Sequence, residues 1–97
     1  VEDVLHFFTA CRRISAAWSF LSLRVALLVG GPVEDRLLLF LAWPPNGLDL
    51  PIAAAVAAYA ELVWSTRDDP DPLLPVLVRA RVDAAAACGP VKSIFKL

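Results

Sequence analysis

Several things are scarce in this 97-residue sequence, and each scarcity removes a class of function. There is one histidine, His6, so no cluster of imidazoles can build a catalytic zinc site on its own. There are two cysteines, Cys11 and Cys88, too few for the disulfide framework of a small secreted domain. One bridge between them stays open on sequence grounds, although a reducing compartment is the simpler reading. Charge of one sign is not in excess: nine basic residues face ten acidic ones, for a net charge of −1. A nucleic-acid binder ordinarily carries a basic surplus or stripe. The four glycines form no phosphate-binding loop or dinucleotide pattern, and no zincin or kinase element is present. The chain opens on Val rather than Met and is expected to be a piece of a longer protein.

Long apolar runs are missing too. Residues 14–29 are interrupted by Arg24, residues 50–64 by Glu61, and 37–43 is short. A spanning helix needs about 20 mostly apolar residues, so no membrane span is expected. A surface helix over 12–29 would need basic residues along its polar face, and few are there. The expected location is intracellular, in cytoplasm or nucleus.

What is abundant is apolar content: 59% of residues, against roughly 45–50% in an average soluble domain. Much of the excess is Ala, Leu and Val, and Ala and Leu are strong helix formers. Turn signals divide the chain at Gly30-Gly31-Pro32, at Pro44-Pro45-Asn46-Gly47, at Asp68-Asp69-Pro70-Asp71-Pro72 and at Gly89-Pro90. Between them the apolar spacing is helical. Ile14, Trp18, Leu21, Val25 and Leu28 predict a helix over about 12–29 that ends on a glycine cap. Pro32, Glu34 and Asp35 suit the first turn of a short helix whose apolar part is 37–43. Asp49 before Pro51 starts a third helix over about 50–65, with Ile52, Val56, Tyr59 and Val63 on one face. Asp71-Pro72 predicts a last helix to about Ala87, buried through Leu73, Leu77, Ala80 and Ala84. Residues 1–9 make a short, ambiguous opening element, and 91–97 read as a tail without period. The expectation is a single all-α domain over 1–97, a small bundle or array of four to five helices.

Candidate chemistry is sparse. A Cys-His-Asp arrangement would draw on Cys11, His6 and Asp3, but three residues within one short terminus make a poorly held site, and no enzyme is expected. Asp68 and Asp69 read as turn residues. Trp18 lies on an apolar stripe, while Phe7, Phe8, Trp43 and Trp64 sit near helix ends. Those rings could stack on bases; without a basic groove, packing is the expected role.

His6 and Cys11 are spaced H-x4-C, within the string VEDVLHFFTAC. Arg12 and Arg13 follow, then ISAAW and a Leu-rich stretch, and later AAYAELVWSTR. Together these resemble the Cys-Cys-His-Cys zinc knuckle and following helices that lie after the polymerase in LINE-type (non-LTR) retrotransposon reverse transcriptases. The resemblance covers residues 1–67. It implies that His6 and Cys11 match the third and fourth zinc ligands, that Arg12 and Arg13 meet phosphate, and that 1–11 is a partial knuckle. The family's first two cysteines and its polymerase aspartates have no counterpart, so reverse transcription does not carry over. Two ligands do not close a structural zinc site. Zinc therefore requires further ligands, either Cys88 with a carboxylate or the His6 and Cys11 of a second copy; otherwise no cofactor is expected, and Cys11 is a small core residue. The functional expectation is a non-catalytic fragment, at most an accessory nucleic-acid or protein contact module. The alternative is a stand-alone helical module for protein interaction or homo-oligomerisation, with no nucleic acid bound.

Overall fold

The computed structural model describes residues 6–31, 33–34, 50–89 and 91–96. Readings that fall on Glu2 and Asp3, on Pro32 and the apolar run 37–43 with Trp43, on the Asp49 cap and on Pro90 lie outside them. The chain is a small all-α bundle. Its described elements are a π-turn over His6–Ala10 and three helices: α1 (Ser15–Val29), α2 (Leu50–Ser65) and α3 (Pro75–Ala87). No strand occurs among the described residues. The Cα radius of gyration of 12.7 Å matches the value of about 12.5 Å expected for a folded chain of this length.

The π-turn is closed by the Cys11 N–H, which donates to the His6 carbonyl at 2.9 Å. A second turn follows, and the Ile14 and Ser15 N–H groups both reach the Cys11 carbonyl. The helix predicted to begin near Arg12 therefore starts at Ser15. Its N-cap, Ile14, supplies no side-chain oxygen. The upstream turns feed the chain into the helix instead. Along α1 the expected stripe is buried at Ile14, Trp18, Leu21 and Val25, joined by Ala17. It stops there, because Leu28 is 37% exposed. The glycine cap is as expected: Gly30 has a φ of 84°, and its N–H and that of Gly31 both donate to the Ala26 carbonyl.

Helix α2 matches its predicted bounds and buries Ile52, Val56, Tyr59 and Val63. Ala53, Ala55 and Ala58 are buried as well. The Tyr59 ring lies 5.2 Å from that of Trp18 in α1, and its hydroxyl donates to the Phe8 carbonyl at 2.5 Å. One side chain thus ties the opening turn to the core.

The connection over 66–74 is fastened at both ends. The Thr66 hydroxyl donates to the Leu62 carbonyl at 2.8 Å. The Asp71 N–H donates to the Asp69 carboxylate, the Arg13 Nε donates to the Asp71 carbonyl, and the Leu73 N–H donates to the Arg13 carbonyl. These bonds explain a shift from expectation. The Asp71 backbone is held in the turn, Leu74 before Pro75 is extended, and α3 begins three residues beyond Pro72, at Pro75. The buried face moves with it. Val78 and Val82 face inward, whereas Leu77, Ala80 and Ala84 are exposed; of the predicted face only Leu73 is buried.

The closing residues are no loose tail. Ile94 is fully buried in the common core and Ser93 is nearly so.

Candidate functional site

His6 is exposed on the π-turn, and Cys11, one residue past its end, is half-buried against the core. The link shown between them is the backbone hydrogen bond that closes the turn. Cys88 is an exposed free thiol at the end of α3, and Cys11 is a free thiol as well. Among the described residues no group of three or more His, Cys, Asp or Glu side chains is placed to hold a metal ion. A zinc site on His6 and Cys11 would thus need ligands from the undescribed residues or from a second chain.

The basic residues are dispersed. Arg12 is exposed, while Arg13 is half-buried and spends its Nε on the Asp71 carbonyl at 2.9 Å. Arg24 donates to the Ile94 carbonyl at 2.7 Å. Arg79 lies 3.7 Å from Asp83, and Arg81 lies 3.4 Å from Glu61. Arg67 donates to the Trp64 carbonyl and places its guanidinium 4.3 Å from the centre of the Trp64 ring. That ring is 56% exposed, so Trp64 is less a core residue than expected, and its edge meets Phe7 at 6.2 Å. Trp18, by contrast, is buried as expected.

Two hollows lie along the second half of α1. Leu23 and Leu27, absent from the predicted stripe, are 62% and 68% exposed. With Phe20, Arg24, Arg79 and Phe95 they line a hollow of about 230 Å³. With Ala26, Gly30 and Gly31 they line a wider one of about 480 Å³. Phe20 and Phe95 stack at 5.2 Å, and Arg79 crosses Phe95 at 5.9 Å. Sequence reading missed this region because Leu23 and Leu27 lie off the predicted stripe, and Phe95, which closes the smaller hollow, comes from the aperiodic end of the sequence. The available signal was the apolar pair Ile94-Phe95 between Lys92 and Lys96.

Both the fold and this surface define a small helical bundle with an apolar groove. Comparison with family models, with curated proteins and with solved structures gives no match. Among the described residues no helix is long and apolar enough to cross a membrane.

Proposed function

We propose that the chain is a non-catalytic helical contact module that works through protein surfaces, first of all by pairing with a second copy of itself. The exposure of Leu23 and Leu27 on one face of α1 carries this reading. Two large leucines on neighbouring turns, flanked by hollows, leave apolar area in water that association would cover. Of the nearby cations, Arg79 is paired with Asp83 and Arg24 is hydrogen-bonded to the Ile94 carbonyl, so both are held by the chain's own groups. A face of that kind suits a two-fold interface, in which the same patch serves both partners. The free thiols Cys11 and Cys88 suit a reducing, intracellular setting.

The resemblance to the retrotransposon region supports a second reading, in which His6 and Cys11 are the later half of a zinc knuckle and the helices follow it. On that reading exposed Arg12 would contact phosphate with little help from Arg13, which is committed to the Asp71 carbonyl. Sedimentation equilibrium tests the main reading. The expected result is a mass that rises with concentration, and a fall to the monomer mass in Leu27→Asp with an unchanged melting curve. A strict monomer throughout overturns self-association. Retention of single-stranded nucleic acid, weakening steeply with salt, would shift the reading to the nucleic-acid contact.

A further inference from the structure

Residues 93–95 are held the way a short peptide is held by a receptor. Ile94 is fully buried and offers its carbonyl to the Arg24 Nε of α1 at 2.7 Å. The Ser93 hydroxyl donates to the Asp83 carboxylate of α3 at 2.5 Å, and the Phe95 N–H donates to the Ser93 oxygen. The Phe95 ring lies flat on Phe20 of α1 while Arg79 of α3 crosses it. One buried aliphatic, one stacked aromatic, one backbone carbonyl and one hydroxyl thus engage two helices within three residues.

A hollow of about 260 Å³ lies between the end of α3 and this segment, lined by residues that include Asp83, Ala86, Gly89, Val91, Ser93 and Lys96. The hydrogen bonds and ring contacts that hold this segment come from 93–95, and a segment anchored through so few residues belongs to the part of a fold that opens at low cost. Beyond Phe95 the hollow between Leu23, Leu27 and Arg79 remains unfilled.

We propose that the groove between α1 and α3 is a peptide-docking site, occupied in cis by Ser93-Ile94-Phe95 and able to take the same pattern in trans. The pattern is a small hydroxyl residue, a branched aliphatic and an aromatic, in an extended segment. A ring larger than phenylalanine fits the third position better, because the hollow beside Phe95 accepts it. Occupancy in cis lowers the apparent affinity for a competing segment by the fraction of time the groove is free. Releasing the chain's own segment therefore raises affinity for the segment supplied from outside. The proposal deepens the contact role argued above by naming what the groove recognises, yet it does not require that two copies pair.

The test uses the full chain and a fluorophore-labelled peptide of the sequence 91–97. Ser93→Glu sets a carboxylate against Asp83 and expels the chain's own segment, leaving the groove intact. Ile94→Asp does the same by removing the buried anchor. Each variant is expected to bind the peptide at least tenfold more tightly than the unaltered chain. A peptide carrying Ile94→Asp is expected not to bind, and one carrying Phe95→Trp to bind severalfold more tightly than the parent. If release costs the variants their helical circular dichroism, the peptide must restore it. Variants that keep their fold and ignore the peptide, or lose it and are not rescued, overturn the proposal. A chain that binds the peptide while remaining monomeric refutes self-association alone; one that self-associates and ignores the peptide refutes the groove alone.

Discussion

Helices α2 and α3 are both rich in Ala and Val, but α2 carries one charged residue, Glu61, and α3 carries three, Arg79, Arg81 and Asp83, and they are used differently. Helix α2 buries Ile52, Ala53, Ala55, Val56, Ala58, Tyr59 and Val63, on a broad arc of its surface. Helix α3 buries only Val78 and Val82, and leaves Val76, Leu77 and a run of alanines in water. The pair teaches that the more apolar helix is buried over a wide arc, while the more polar one is buried along a narrow line. In α2 the large side chains at 52, 56, 59 and 63 mark one direction. In α3 two uncharged stripes compete, one through 77, 80 and 84 and one through 78 and 82. The second is buried. Arg79 and Asp83, on the turns beside it, are drawn to Phe95 and Ser93 by contacts with the chain's end.

The sharpest way to break this contrast is at Tyr59. Tyr59→Ala empties the centre of α2 and is expected to cost about 3–5 kcal/mol, read by denaturant unfolding. A loss below about 1 kcal/mol would mean that α2 is not the axis of the core. A paired test then fixes the face of α3. Val78→Ala should cost roughly 2 kcal/mol as a buried truncation, while Leu77→Ala stays within about 0.5 kcal/mol as a surface change. The reverse order would restore the face expected from periodicity. The smallest effect isolates a single bond. Tyr59→Phe keeps the ring and loses the hydroxyl at Phe8, for about 1 kcal/mol. Its signature is faster amide exchange confined to residues 6–11, and uniform acceleration across α2 would contradict the role given to that bond.

How far the sequence could be read follows from where the signal is local. The bounds of α2, the inward positions of α1 from Ile14 to Val25 and the glycine cap at Gly30 depend on neighbours within a few residues, and they were legible, whereas Leu28 was expected inward and is exposed. The start of α3 was not, because two prolines three residues apart each suit a first turn. What decides between them is Arg13, 58 residues away from Asp71 in the chain. The docking of Ile94 on Arg24 spans 70 residues and obeys no period. Of the predicted site, His6 and Cys11 were near each other by chain proximity alone, and the fold adds only a backbone turn between them. The groove was invisible because its walls come from α1 and α3, far apart in the chain, and its occupant is a segment with no repeating pattern.

The contrast between Trp18 and Trp64 has an optical consequence. Trp18 is sealed in the core, and its indole N–H has no hydrogen-bond partner among the described residues. Trp64 stands in water under a guanidinium. An indole in a dry, unbonded setting emits at shorter wavelength than a hydrated one, and light absorbed by Tyr59 at 5.2 Å passes efficiently to Trp18. Loss of the core therefore carries its own colour, a red shift joined to a return of tyrosine emission, while changes at the exposed end of α2 alter brightness and leave that blue component in place.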